Sequence, residues 1–398
     1  MNATDKEATP SEPFDSAISA RSVDQVSAHG PAGLSGAQVA LLALILGGLL
    51  GIAGLTSLCL MVWFSHQRFG VDRSAKHGIS VKDTSRMGGV AIALFLILVW
   101  LATIIFPALA GDSKSGMTWG PSFLLLAGLL ASIGFLDDLG MPLTPVIRLL
   151  ASTLILTVGF IFVPDWMPNQ FLGFFGDTSL GFEVGLVAAS VFVCVGFINA
   201  GNMADGANGL FSGICLAFFV CVWFLTADNF YFSMSLGLLS FFLINVLTGR
   251  IIMGDFGAYG LSALIALVGF DLFDQGLVGL GFLATLLSYP CVEIIRIFVV
   301  RISKGESPFR ADNQHSHNLL NEYFSNLVKS KTLANSLTGV SIAAFSVTPA
   351  LVILFQDGQR NEMLCGLVFG LQCLVFVLVH AVTIAFKPKD QATISRQI

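Results

Sequence analysis

Charge is what this chain has least of. Twenty Lys and Arg with 25 Asp and Glu make up 11% of 398 residues, too few to coat a soluble protein of this size. The seven cysteines (59, 194, 215, 221, 291, 365 and 373) show no CxxC spacing and all fall in apolar runs, so they read as small core residues, not as metal ligands or disulfides. A basic segment before the first apolar run is also missing, and that run is too long for a cleavable signal. Ionisable residues are nearly absent from the middle of the apolar runs and the two halves show no internal similarity, which weighs against a transporter.

What the chain does have is hydrophobicity: 55% apolar residues and a mean hydropathy of +0.82. Apolar blocks near 38–64, 88–109, 120–136, 143–163, 183–199, 208–226, 230–247, 257–271, 277–302, 332–355 and 363–386 predict an all-α polytopic membrane protein of about eleven transmembrane helices. The organisation expected is a disordered tail over 1–37, a transmembrane catalytic domain over 38–386 and a short tail over 387–398. Alternating the loops places sixteen Lys and Arg on one side and four (Lys6, Arg21, Lys114 and Arg360) on the other. That asymmetry makes the first tail external and the C-terminus cytoplasmic.

Four polar stretches interrupt the apolar pattern, and this topology puts all of them on the cytoplasmic face, where the active site is expected. They are GFLDDLG (134–140), NAGNMADGANGL (199–210), GRIIMGDFGAYG (249–260) and SPFRADNQHSHNLL (307–320). Taken singly, each has a plain reading: solvated turns for Asp137 and Asp138, backbone geometry for the loop glycines, an i,i+3 ion pair for Glu293 and Arg296. Taken together, Asp137, Asp138, Asp205 and Asp255 with His315 and His317 form a carboxylate cluster beside cationic donors. Such a set suits a hard cation that neutralises a diphosphate, with Arg or His on the remaining oxygens and a spare Asp to position or deprotonate an attacking oxygen.

The same stretches, with TSRMGG at 84–89 and NVLTGRIIMGDFGA at 245–258, resemble in order the polyprenyl-phosphate N-acetylhexosamine-1-phosphate transferases. The resemblance implies transfer of a sugar 1-phosphate from a UDP-sugar to undecaprenyl phosphate with release of UMP, dependence on Mg²⁺ or Mn²⁺, and residence in a bacterial inner membrane. No nucleic-acid partner is implied, and a homo-oligomer is left open. Carried over by motif, Asp137 and Asp138 match the acceptor-side Asp pair, Asp255 the metal-binding Asp with Asn202 as its second contact, and Asp205 with Asn208 the nucleotide pocket. His315 and His317 match the histidines near the diphosphate, and Asn199, Arg148, Arg250 and Arg310 stand as further substrate contacts. Two departures, Asn313 where an Arg is usual and Asn318 where a third His is usual, point to the branch that starts O-antigen or exopolysaccharide synthesis. The phospho-N-acetylmuramoyl-pentapeptide transferase of peptidoglycan synthesis is the alternative, and a lipid or sugar transporter the competitor from another class.

Overall fold

The computed structural model describes residues 33–67, 70–72, 84–106, 121–141, 143–169, 180–305 and 315–385. Most of the predicted tails lies outside them, as do Arg310 and Asn313. In chain order the elements are α1 (Gly36–Ser65), β1 (Val71–Asp72), β2 (Thr84–Ser85), α2 (Gly88–Ile105), α3 (Pro121–Asp138), α4 (Pro145–Phe162) and α5 (Leu180–Ala204). There follow α6 (Leu210–Thr226), α7 (Asn229–Thr248), α8 (Gly254–Asp274), α9 (Leu280–Leu286), α10 (Ser288–Ser303), α11 (Ser316–Leu327), α12 (Lys331–Phe355) and α13 (Glu362–Ala385).

Eight of these helices are long and apolar enough to cross a membrane, nine if α9 and α10 count as one bent span. The apolar α3 and the 17-residue α6 fill the other two predicted stretches. The outward faces are apolar, with Leu44, Ile52, Phe192 and Leu367 each more than two thirds exposed or close to it. Such a surface is stable only against lipid. Local chemistry sets several boundaries: Ser35 and Gln38 close a capping box at the start of α1, and Thr144 caps α4 with Pro145 in its first turn.

Two spans differ from the sequence expectation. The stretch predicted at 257–271 is a full-length helix, Gly254–Asp274, and the most enclosed of all, with 72% of its apolar window buried. Carboxylates at its two ends, Asp255 and Asp274, hid its length. The stretch predicted as one helix over 277–302 is instead two, α9 and α10, bent by 84°. Pro290 supplies the reason, since it lacks the N–H that a continuous helix would direct to residue 286 and its ring crowds that carbonyl. At the bend α12 supplies Ser346, whose Oγ lies 2.9 Å from Ser288 Oγ and accepts the Tyr289 N–H at 3.2 Å.

At the centre, α8 packs on α3, α5 and α2. The closest approach is at Gly134, where any Cβ would run into the backbone of Asp255 and Phe256. Backbone against backbone, α3 and α8 bring the carboxylates at their ends to the same level.

Candidate active site

The site begins as a backbone scaffold. Ser85, Gly88 and Gly89 donate their N–H groups to Arg250, Ile252 and Met253 carbonyls at 3.1, 3.0 and 2.7 Å, and Ile252 returns one to Ser85 at 2.8 Å. The TSRMGG and RIIMGD motifs are therefore one structural unit. It delivers the chain to Gly254, whose φ of +76° opens α8 and whose surroundings, the Arg86 carbonyl and Asp138 Oδ2, leave no room for a Cβ.

The first turn of α8 has N–H groups with no helical partner, and carboxylates from two other helix ends take them. Asp205 accepts from Gly254, and Asp138, only 4% exposed, accepts from Asp255 at 3.1 Å and Phe256 at 2.8 Å. Burial, then the nearby charges of Asp255 and Asp138, push the Asp205 carboxyl well above the usual carboxylate range. Arg86 sits beside this cap, with its guanidinium 3.0 Å from Asp72 and 3.9 Å from Asp138.

Next to the cap is an acidic pair directed elsewhere. The carboxyls of Asp137 and Asp255 are within hydrogen-bonding reach of one another, and Arg148 Nη1 lies 3.4 Å from an oxygen of each. Leu143 N–H donates to Asp137 at 3.2 Å, and the Tyr259 hydroxyl is a hydrogen-bonding partner of Arg148.

Arg148 also lines a cavity of about 1280 Å³ between α4, α5 and α10. Arg148, Asn199, Asn202, Tyr259, Arg301 and His315 give this cavity a polar end, and Leu149, Phe160, Val187, Val191 and Phe298 its apolar wall. It continues along α4 to Pro164, Met167 and Asn169, beyond the far end of that helix. An 18-residue helix is about 27 Å long, so the groove runs the depth of the apolar layer.

The histidines occupy the start of α11. His315 and His317 stack with ring centroids 5.3 Å apart and planes 7° from parallel. His317 is 3% exposed, its Nδ1 lies 2.9 Å from the Tyr289 hydroxyl and its Nε2 edge fills the space beside Gly206. Burial, followed by the charge of His315, lowers its pKa to about 3, so it is neutral near pH 7.

Comparison with known proteins adds the last observation. Residues 121–272 match the model of glycosyl transferase family 4, a span that runs from α3 through most of α8 and holds Asp137, Asp138, Asp205 and Asp255. Similar curated proteins include the phospho-N-acetylmuramoyl-pentapeptide-transferases of Carboxydothermus hydrogenoformans and Listeria welshimeri. Both are 29% identical over 271 residues, 61% of this chain and 78% and 81% of theirs. That of Caldanaerobacter subterraneus is 30% identical over 210 residues, 48% of this chain and 62% of its own. Over these residues the chain is similar to members of glycosyl transferase family 4. The names of these relatives favour the peptidoglycan-type alternative over the antigen branch to which Asn313 and Asn318 pointed.

The resemblance implies a divalent cation, and the donors present show whether one fits. Among the described residues no three or more His, Cys, Asp or Glu side chains converge on one point. Mg²⁺ does not need three, because it commonly takes one or two carboxylates and completes its shell with water and substrate phosphate. Asp255 is such a carboxylate, with Asp137 beside it opposite the same Arg, and Asn202 lines the cavity that Arg148 joins to them. The donor set fits the cation.

The remaining motif residues go to different places. Asn208, read from its motif as a nucleotide contact, has its amide on Ser336 Oγ at 3.3 Å and on Asn245 at 3.5 Å, while its N–H goes to Asn335 at 2.8 Å. It ties the 205–209 turn to α7 and α12. Asn199 donates to the Val195 carbonyl at 2.7 Å while lining the cavity, and the Arg250 backbone belongs to the scaffold. Arg86, Tyr259, Arg301 and His380 were not singled out from sequence. TSRMGG, read only as one stretch of the ordered resemblance, does not show which of its members faces the site.

Proposed function

We propose that this protein transfers a sugar 1-phosphate from a UDP-sugar to undecaprenyl phosphate, forming a lipid diphosphate sugar and releasing UMP. The observation that carries the reading is the meeting of Asp137, Asp255 and Arg148 at the polar end of a membrane-deep apolar groove. A polyprenyl chain needs such a groove, and its phosphate needs a cation where the groove turns polar. Asp137 is the member of the pair with the geometry to position or deprotonate the acceptor, because both oxygens of Asp138 already hold the first turn of α8. Asp255 with Asn202 would hold Mg²⁺, which when bound supplies charge neutralisation for the diphosphate. Arg148, Tyr259 and His315 then contact phosphate oxygens from the cavity wall, and Asp205 and His317 shape the turn behind them.

Two donors are supported by different observations. The names of the relatives support UDP-N-acetylmuramoyl-pentapeptide. Asn313 and Asn318 support a smaller UDP-N-acetylhexosamine. Purified protein with undecaprenyl phosphate and both kinds of donor separates them: UMP release is expected with one, and release with neither would remove the assignment.

The orientation follows from sixteen Lys and Arg against four, and places the site in the cytoplasm. A Cys introduced at Lys329, between α11 and α12, should react with an impermeant maleimide only after the inner membrane is opened. Labelling in intact spheroplasts would put the site on the wrong side for a cytoplasmic nucleotide.

A further inference from the structure

Glu293, 3% exposed on α10, is the hub of a buried polar network that no sequence motif announces. Its Oε1 accepts from Arg296 Nη2 at 2.6 Å and from the Ser316 N–H at 3.0 Å, and its Oε2 from Arg296 Nε at 3.1 Å and the Ser316 hydroxyl at 2.7 Å. His315 Nδ1 lies 3.4 Å from the same Oε1. The network reaches the last helix, where His380 Nε2 is 3.0 Å from Arg296 Nη1 and His380 Nδ1 is 3.0 Å from Ser316 Oγ.

The protons in this network follow from the chemistry of its members. A guanidinium can only donate, so His380 Nε2 accepts from Arg296. The ring then carries its proton on Nδ1 and donates it to Ser316 Oγ, which donates in turn to Glu293. Each partner leaves the next one arrangement, and the chain ends on the carboxylate beside His315 Nδ1. With Nδ1 at 3.4 Å from that carboxylate, an ion-pair distance and not a hydrogen bond, His315 has Nε2 left for a ligand in the cavity it lines.

We infer that His380 is a positioning residue for His315, acting through Arg296, Ser316 and Glu293 to fix the imidazole at the polar end of the groove. The inference rests on the role proposed above for His315 at the donor phosphates. The C-terminal helix α13 thereby enters the function of a site built otherwise from α3, α4, α5, α8, α10 and the start of α11.

A double-mutant cycle tests this. His380→Phe keeps a ring but removes both hydrogen bonds, and is expected to lower kcat about tenfold or more with little change in the KM for the UDP-sugar. His380→Gln, which keeps an acceptor toward Arg296, is expected to recover most of that loss, and serves as the test variant if the Phe protein does not fold. In a His315→Gln background the change at His380 should cost almost nothing further. A full multiplicative loss in that background would overturn the inference and show a merely structural role. A His315→Gln enzyme that works at the wild-type rate would instead remove His315 from the proposed function, an outcome recognisable from the single mutant alone.

Discussion

Asp255→Asn is expected to lower kcat by about a thousandfold, equivalent to about 4 kcal/mol of barrier, while thermal unfolding in detergent stays close to wild type. The asymmetry comes from what the carboxylate touches. Its neighbours are the Asp137 carboxyl and Arg148 at 3.4 Å, and both the Asp255 and Arg148 side chains are 21% exposed. Arg148 keeps Asp137 as its partner at 3.4 Å when the Asp255 charge is removed, so no charge is left unpaired. Asparagine also relieves the repulsion between two neighbouring carboxylates, so the fold gives up nothing that it depends on. The charge it loses is the one that the acidic pair would offer to a cation. The check is to measure turnover and melting together across a series of Mg²⁺ concentrations. Near-normal turnover at ordinary Mg²⁺ would take Asp255 out of the mechanism.

Asp138→Ala is expected to show the opposite signature, a loss of about 3 kcal/mol of stability from leaving two buried N–H donors of α8 without an acceptor. Asp138→Asn retains one acceptor oxygen and should fall about halfway between. Both substitutions should also lower activity, because the turn they loosen carries Asp255. The sequence places Asp137 and Asp138 side by side with nothing to separate them, yet one is turned toward Arg148 and the other caps α8. Melting temperatures of the two alanine variants, compared with their turnover numbers, assign the roles. An Asp138→Asn protein that melts like wild type but is inactive would make Asp138 the reacting carboxylate and the cap incidental.

Much of the fold could be read in advance because hydrocarbon allows few solutions. A run of about twenty apolar residues in lipid becomes helical, and every predicted block is helical among the described residues, the one at 277–302 as two helices. What escaped depended on single residues or on partners distant in sequence. Pro290 bends a span whose hydropathy is continuous, and the carboxylates at the ends of α8 made the most buried helix look the shortest. The convergence of Asp137, Asp138, Asp205 and Asp255 was legible because each lies in a polar interruption at the same helix end. Their division of labour was not, since it depends on the fact that Gly134 lets α3 touch the backbone of α8. Asn208 shows the same limit: its motif looks like a ligand contact, while its amide is occupied by Ser336 and Asn245 across more than thirty residues of chain. His380 lies in a plain apolar helix, and only the packing of α13 beside α10 and α11 reveals its partners.

The central claim is that one diphosphate bond is broken as another of similar energy is made, so the reaction must run backward when UMP is supplied. Purified protein carrying the lipid-linked sugar product is given radiolabelled UMP, and the nucleotide pool is resolved by chromatography. Label appearing in UDP-sugar, dependent on Asp255 and on added Mg²⁺, is the result this account predicts. Label confined to UMP, together with release of UDP in the forward direction, would mean that the donor is cut at the glycosidic bond and would contradict it.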